Sequence, residues 1–258
     1  MIYTEQEARE LVLEAGRRLI EKKLIARTWG NISARVSETA FIITPSGRAY
    51  ETLRPEDLVL VQVADGSYEG DIKPSSEKGI HAAAYALRPE VGFIIHTHQF
   101  YASAVCAEGE DTPAAPCAGY GLPGTGKLKK AVAAVIAAHP EQNAFLMARH
   151  GAICLGGTPE EAFQTADRLE DDCRSLFEAR AAEGRTAGDT RPWLDDYAQL
   201  IGFGKKQGEA DDAEAIEMIR EKNLAAARYV RRGKPLSFPD AALQRFVYLR
   251  KYSKLKNQ

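Results

Sequence analysis

Apolar residues recur at helical intervals in four stretches of the chain. Within residues 4–24, Thr4 and Glu7 have the spacing of a capping box, and the apolar positions that follow share one helical face. At Thr158, a threonine, a proline and two glutamates form a strong helix start. The pattern predicts helices over residues 4–24, 78–87, 127–138 and from Thr158 to about Ala182.

Shorter apolar runs between these helices are typical of strands, and they cover residues 40–44, 58–63, 91–98, 144–147 and 152–155. Stretches rich in glycine and small polar residues predict loops at Gly30–Ser33, Thr44–Gly47 and Cys117–Gly126. Strands alternating with helices indicate an α/β core over residues 1–182. Beyond it, loop signals and two helical patterns predict a helical C-terminal extension over residues 183–258, packed on the same domain.

The composition narrows the class of partner. The 258 residues carry 34 basic and 36 acidic side chains, a net charge of −2, so no basic field favours a nucleic-acid partner. No apolar run approaches the roughly 20 residues needed to span a bilayer, so no membrane partner is expected. The N-terminus has no pattern of a secretion signal, and the four cysteines form no C-x-x-C pair. These features predict a reduced, cytoplasmic protein.

Two of the five histidines, His96 and His98, end the apolar run at residues 91–98. Alternate residues of a strand point to the same face, so both imidazoles can reach one metal ion. His150 ends another predicted strand and is the best candidate for a third ligand, which would complete a zinc-like catalytic site. The alternative is that these are core or capping histidines bonded to the backbone. We expect structural roles for the other two, with His81 on the polar flank of its helix and His139 at a helix end.

A candidate anion site lies at the predicted start of the helix over residues 78–87. Ser75 and Ser76 precede that start, where free backbone N–H groups favour negative ligands. The loops at Gly30–Ser33 and Thr44–Gly47 carry small polar residues that are able to complete a phosphate site. The alternative is that all three are ordinary turns and caps.

Glu77, at the same helix start, is the candidate carboxylate for chemistry. Beside a metal it can act as a ligand or as a general base, and the residues alone leave both roles open. The alternative is an acid that only complements the helix dipole. A match to the phosphate-binding loop of nucleotide-triphosphate enzymes at Gly121–Lys127 is set aside, because Leu128 occupies the position of the magnesium-binding serine or threonine.

Taken together, these motifs resemble the class II aldolase/adducin family, and within it the members similar to fuculose-1-phosphate aldolase. The resemblance spans roughly residues 5–180. It rests on the order and spacing of seven short motifs: Thr28–Ser33, Ile43–Gly47, Lys73–Glu77, His81-x-x-x-Tyr85, His96-Thr97-His98, Tyr120-x-x-x-Gly124-Thr125 and Arg149–Gly151. The family fold is a central, mainly antiparallel sheet between two helical layers, so the resemblance implies a three-layer αβα protein.

The resemblance also implies a site. The residues at His96, His98 and His150 bind one divalent metal per subunit, usually zinc, and the residue at Glu77 acts as acid–base catalyst. The substrate phosphate lies on the residues at Gly30, Asn31, Ser46, Gly47, Ser75 and Ser76. Members usually form homotetramers with active sites between subunits, which implies a homotetramer here.

Among the family's reactions, the intact Ser75-Ser76-Glu77 sequence favours the aldolase branch. The predicted reaction is therefore metal-dependent, reversible retro-aldol cleavage of a ketose 1-phosphate to dihydroxyacetone phosphate and an aldehyde, with Tyr197 and Arg191 as candidates near the aldehyde. Decarboxylation or epimerisation of a related sugar or sugar-acid phosphate is the first alternative. The second is a non-catalytic, adducin-like interaction domain, which the presence of all three histidines disfavours.

Overall fold

The computed structural model describes residues 2–22, 24–25, 30–106, 111–121, 123–148 and 150–182. Five helices lie in these ranges: α1 (Glu5–Glu21), α2 (Lys78–Leu87), α3 (Phe100–Val105), α4 (Gly126–Ala138) and α5 (Pro159–Ala182). The strands in the same ranges are β1 (Asn31–Arg35), β2 (Ala40–Ile43), β3 (Val59–Gln62), β4 (Phe93–Thr97), β5 (Cys117–Ala118), β6 (Ala144–Met147) and β7 (Gly151–Gly156).

The strands form a single mixed sheet in the order β3-β2-β1-β4-β7-β6-β5. Neighbouring strands are antiparallel along this order, except that β5 runs parallel to β6. Helices flank the sheet, which confirms the predicted α/β class with a mainly antiparallel sheet. The two strands at the centre, β1 and β4, carry residues of the candidate site.

Each face of the sheet is covered by apolar helix residues. On one face, Ile80 of α2 and Leu128 and Val132 of α4 pack with Ile94 of β4 and Ile153 of β7 in one buried cluster. The residues that alternate with them, such as Ile32, Ala34 and Ile95, point to the opposite face and are fully buried. There α1 packs along β1 and β2 through Ala8, Val12 and Leu19.

Three of the four predicted helices begin at a residue whose side chain caps the helix. The Oγ of Thr4 accepts a hydrogen bond from the Glu7 N–H at 3.3 Å while the Glu7 carboxylate accepts the Thr4 N–H at 2.9 Å, a complete capping box. Thr158 accepts the Glu161 N–H at 3.2 Å, and α5 begins at Pro159 as predicted. Thr125 caps α4 in the same way, so the glycine-rich stretch before it is a helix entry.

Three sequence predictions were wrong or incomplete. The stretch predicted as a loop at Gly30–Ser33 contains the start of β1, which lies between β2 and β4. Its polar positions, Asn31, Ser33 and Arg35, are buried, so the strand shows no solvent-facing side to reveal it. Helix α3 and the two-residue strand β5 were also not predicted, the latter within the stretch assigned to a loop.

The extension predicted over residues 183–258, with Arg191 and Tyr197, lies outside the described residues, and so does Arg149 of the sequence motif. The division of the chain at residue 182 therefore stays a prediction. Across the described ranges, no helix combines the length and the apolar character that crossing a membrane requires.

Candidate active site

Three histidine side chains converge where β4 ends and β7 begins. His96 lies in β4, His98 follows the end of that strand, and His150 lies in the turn between β6 and β7. One ring nitrogen from each lies within 4.8 Å of the other two. The ring centroids are 4.7, 4.9 and 5.3 Å apart, and all three residues are buried. The structure thus brings together the three histidines that the sequence singled out as metal ligands.

Backbone pairing explains why the three meet. His96 and Thr97 pair with Ile153 and Ala152 of β7, so the turn that carries His150 returns beside the end of β4. Gly151, the residue after His150, packs directly on this strand end. A Cβ at Gly151 would overlap the carbonyl oxygen of Thr97 and would lie 3.3 Å from Nδ1 of His98. Only glycine lets the turn approach this closely.

A backbone hydrogen bond sets the tautomer of His96. Its Nδ1 lies 2.8 Å from the carbonyl oxygen of Ala152, which can only accept, so Nδ1 carries the proton and donates. Nε2 is then the nitrogen that presents a lone pair to the centre of the cluster. A histidine that binds a metal through one nitrogen commonly donates its other N–H to a carbonyl in this way.

Glu77 lies against the same cluster. It is the N-cap residue of α2, as predicted, and is 8% exposed. Its Oε2 lies 3.1 Å from Nε2 of His96, and its Oε1 lies 3.1 Å from Nε2 of His150. Oε2 also accepts a hydrogen bond of 3.1 Å from the side-chain amide of Asn31. The carboxylate is therefore held at the histidine cluster rather than at the solvent-facing start of the helix.

The buried carboxylate of Glu77 needs a positive charge nearby to stay ionised. Burial alone would raise the pKa of Glu77, but the charges of His150 and His96 outweigh it and hold that pKa well below 4.5. Burial lowers the pKa of His96, yet the neighbouring carboxylate raises it overall. The cluster is stable when a cation, either a proton on an imidazole or a metal ion, lies between carboxylate and nitrogens.

The donor set fits a divalent metal ion. The contact between His96 and Glu77 lacks hydrogen-bond geometry, and Nε2 of His96 has no hydrogen-bond partner among the described residues although it is fully buried. A buried nitrogen lone pair without a donor is costly unless something satisfies it. Three imidazoles with an adjacent carboxylate are a typical set for zinc-like catalytic ions.

The three segments predicted to bind phosphate lie side by side. Thr44 exchanges hydrogen bonds with the backbone of Ile32, and the Ser75 N–H donates to the carbonyl oxygen of Thr44 at 3.0 Å. The Ser46 N–H donates to the Lys73 carbonyl oxygen at 2.9 Å, which fixes the next loop against the same segment.

Within these segments, Ser46, Gly47 and Ser76 are exposed while Asn31 and Ser75 are buried, and Gly30 is half-buried. The hydroxyl oxygen of Ser75 accepts a hydrogen bond of 3.2 Å from the Glu77 N–H. Phosphate binding by these six residues stays a prediction, although the structure places their segments next to one another.

The predicted position of His81 was wrong. His81 is fully buried rather than on a polar flank, and both of its ring nitrogens are hydrogen-bonded. Nε2 bonds to Oδ1 of Asn31, and Nδ1 lies 2.7 Å from Oγ of Ser33. That hydroxyl lies 2.9 Å from the hydroxyl of Tyr85. We call these four residues, Asn31, His81, Ser33 and Tyr85, the relay. The helical spacing of His81 and Tyr85 was visible in the sequence, but their partners on β1 were assigned to a loop.

Comparison with known proteins places the chain in a family. A family model described as the class II aldolase and adducin N-terminal domain matches residues 10–177, which is more than half of the chain. The chain belongs to the class II aldolase and adducin family. The histidine cluster, Glu77 and the sheet all lie within the matched residues.

Individual members of the class II aldolase and adducin family are similar over most of their length. A protein of Bacillus thuringiensis serovar kurstaki, named 5-deoxy-D-ribulose 1-phosphate aldolase, is 32% identical over 188 residues, which cover 68% of this chain and 87% of that protein. The structure of L-fuculose-1-phosphate aldolase from Thermus thermophilus is 26% identical with a TM-score of 0.55, covering 70% of this chain and 97% of the other.

A third family member leaves the reaction more open. YgbL of Klebsiella pneumoniae, for which aldolase, epimerase and decarboxylase activities are all suggested, is 28% identical with a TM-score of 0.60. The match covers 68% of this chain and 91% of YgbL. Class II aldolases use a divalent metal, and among the described residues His96, His98 and His150 form a group that could hold one.

Proposed function

We propose that this protein is a metal-dependent lyase that catalyses reversible retro-aldol cleavage of a ketose 1-phosphate, similar to fuculose 1-phosphate, into dihydroxyacetone phosphate and an aldehyde. The observation that carries the proposal is the position of Glu77, whose two carboxylate oxygens each lie 3.1 Å from an imidazole nitrogen of the buried histidine cluster. The relative named 5-deoxy-D-ribulose 1-phosphate aldolase supports a ketose 1-phosphate as the substrate class.

His96, His98 and His150 would hold the metal, for which zinc is our proposal. Three neutral imidazoles would be a donor set typical of catalytic zinc sites. A divalent ion there supplies Lewis-acid stabilisation of the negative charge that develops on the substrate oxygens as the carbon–carbon bond breaks.

Glu77 transfers the proton at the reacting carbon. In the cleavage direction the hydroxyl that becomes the aldehyde oxygen gives up its proton to water as the bond between two hydroxyl-bearing carbons breaks. The released electron pair moves toward the neighbouring carbonyl, and the carbon that becomes dihydroxyacetone phosphate then takes up one proton through Glu77. In the condensation direction the same proton is removed by the ionised carboxylate. The lowered pKa of Glu77 in its cationic surroundings keeps the carboxylate ionised, which is the form in which it starts the condensation direction.

The substrate phosphate is proposed to bind Gly30, Asn31, Ser46, Gly47, Ser75 and Ser76. The hydrogen bonds between their segments support this assignment, because they hold small residues of three loops in one place near Glu77. Binding energy from the phosphate would position the reacting carbon against Glu77 without taking part in the chemistry itself. A homotetramer with a cytoplasmic location completes the proposal.

Decarboxylation or epimerisation of a related sugar phosphate is the competing function, favoured by the similarity to YgbL. A panel of ketose 1-phosphates and 3-oxo sugar-acid phosphates separates them, with the enzyme reconstituted in zinc, manganese or cobalt. Release of dihydroxyacetone phosphate, measured by coupled oxidation of NADH, is the expected result. Release of carbon dioxide, or epimer formation without any triose phosphate, would overturn the aldolase assignment.

A further inference from the structure

We infer that His81 is a positioning residue for Glu77, because it holds the side-chain amide of Asn31 in the one orientation that donates a hydrogen bond to the Glu77 carboxylate. The inference rests on the proposed function for the role of Glu77. His81 is not one of the three proposed metal ligands, and it acts on the carboxylate through Asn31.

The direction of every hydrogen bond in the relay follows from the ionised carboxylate at its end. A carboxylate only accepts, so the group of Asn31 that faces Oε2 of Glu77 is the NH₂ group. Oδ1 of Asn31 then faces His81 and needs a donor, which places the proton of His81 on Nε2. Nδ1 of His81 is left as an acceptor and takes the hydroxyl proton of Ser33. The Ser33 oxygen in turn accepts from Tyr85.

The four residues of the relay are buried, so bulk water does not compete for their hydrogen bonds. Asn31, Ser33, His81 and Tyr85 are each 3% exposed or less. Asn31 and Ser33 alternate on one face of β1, and His81 and Tyr85 lie one helical turn apart on α2, so each element presents two members to the other. Burial lowers the pKa of His81 to about 3, which keeps the ring neutral with one donor and one acceptor.

The far end of the relay is anchored independently of the site. Arg35, the last residue of β1, donates to the carbonyl oxygens of Tyr85 and Arg88 at 2.7 and 3.1 Å. Its guanidinium also lies over the ring of Tyr85, 4.5 Å from the centroid. Strand β1 and the C-terminal end of α2 are therefore fixed to each other where the relay begins.

The orientation of Asn31 matters because its NH₂ group donates a hydrogen bond of 3.1 Å to Oε2 of Glu77. If the amide reversed, Oδ1 would face the carboxylate and NH₂ would face the His81 N–H, so two attractive contacts would become two repulsive ones. The last side-chain torsion of a glutamate is soft, and without the Asn31 donor the carboxylate is no longer fixed in one orientation beside the histidine cluster. A carboxylate that samples several orientations faces the reacting carbon for a smaller fraction of the time.

A matched pair of substitutions separates this role from simple packing. In His81→Gln the new amide nitrogen falls near the place of Nε2 and still donates to Asn31. In His81→Asn the shorter side chain reaches only the place of Nδ1, so Ser33 keeps a partner and Asn31 loses one. Both variants keep a buried polar amide at this position.

The expected result is a loss of kcat in His81→Asn of roughly 10–100-fold, the range typical when an outer-sphere hydrogen-bond partner is removed. Bound metal should stay close to wild type, because the three ligands are not altered. KM should change much less than kcat, because Asn31 is the one proposed phosphate-binding residue that loses a partner. His81→Gln should keep kcat within about threefold of wild type. Equal losses in the two variants, or a loss carried by KM or metal content, would overturn the inference.

A second measurement does not depend on any reaction. In the full-length, zinc-reconstituted protein with ¹⁵N-labelled histidine, the imidazole shifts of His81 should show a neutral ring protonated on Nε2 between pH 5 and 8. A ring protonated on Nδ1, or a charged ring, would overturn the inference even if lyase activity is found. If no substrate is cleaved but the Nε2 tautomer is observed, the relay is supported and the proposed function fails alone.

Discussion

His96 and His81 are both fully buried histidines near Glu77, and they behave in opposite ways. Each uses one ring nitrogen for a bond to the protein: His96 to a backbone carbonyl and His81 to the Ser33 hydroxyl. The second nitrogen decides the difference. That of His96 faces a carboxylate without a hydrogen bond, whereas that of His81 donates to a neutral amide oxygen.

The pKa values follow the same division. The carboxylate raises the pKa of His96 against the effect of burial, while burial lowers the pKa of His81 to about 3. Burial therefore does not identify a metal ligand. What identifies it is a lone pair aimed at a place where positive charge is needed, and a histidine with both nitrogens satisfied by neutral groups is a structural or positioning residue.

Replacing His96 should have the largest effect on metal binding and turnover. His96→Ala should abolish metal binding and reduce turnover by at least about a thousandfold, since Lewis-acid stabilisation is worth several kcal/mol. Metal content by plasma mass spectrometry and the aldolase assay test this. His139→Ala is the matched control, because His139 caps α4 with a partly exposed side chain 3.7 Å from Glu141. Full metal content in His96→Ala would contradict the assignment of the cluster.

Replacing the carboxylate separates chemistry from metal binding. Glu77→Gln should lower kcat by roughly 10²–10⁴-fold, the usual contribution of a general acid or base, while bound metal stays largely unchanged. Glu160→Gln serves as control, since Glu160 is also an acidic residue in the first turn of a helix but pairs with Arg18 at the surface. If Glu77→Gln turned over at the wild-type rate, another group would be the base.

Gly151→Ala tests the close approach that brings His150 to the other two ligands. The added Cβ overlaps the Thr97 carbonyl, so the turn must move, at a cost of about 1–3 kcal/mol in the free energy of unfolding. Weaker metal binding should accompany the lower melting temperature. In the control, Gly126→Ala, the Cβ meets no neighbour within 4 Å, and both properties should remain at wild-type values. Equal stability of the two variants would mean that the turn is not tightly packed.

The stability of the protein should also depend on pH through His81. The folded protein holds His81 neutral down to about pH 3, whereas an unfolded histidine takes up a proton near 6.5. The unfolded state therefore binds more protons in this window, and the free energy of unfolding falls as the pH drops from about 6.5 toward 3, by at most about 1.4 kcal/mol per pH unit. His81→Gln lacks this contribution, so its stability difference from wild type should narrow between pH 7 and pH 5. Urea unfolding of both proteins, each stripped of metal by a chelator, measures it, and a constant difference would contradict a buried neutral ring.

The candidate metal ligands were predictable because their signals are local. Alternation along β4 and the residue after it places His96 and His98 on one face, and the helical pattern that begins at residue 78 places Glu77 at a helix start. His150 was found by its position at a strand end, which needs only the hairpin between β6 and β7.

The relay was not predictable because its bonds join residues 48 to 52 positions apart across two elements. Finding them requires the position of β1 in the sheet, and β1 was hidden by burial of both its faces. A strand with polar residues on a buried side looks like a loop when read alone. The fold class was still predicted correctly, because most of the other strands and helices were recognised from their patterns.

The pairing of β1 with β4 sets Asn31 directly opposite His96. If β1 slipped by one residue along β4, Asn31 and Ser33 would face the opposite side of the sheet from the three histidines. Only the native alignment lets a carboxylate from α2 meet both. If the proposed site is correct, metal affinity and catalytic rate should therefore also report whether β1 and β4 have paired in the native register.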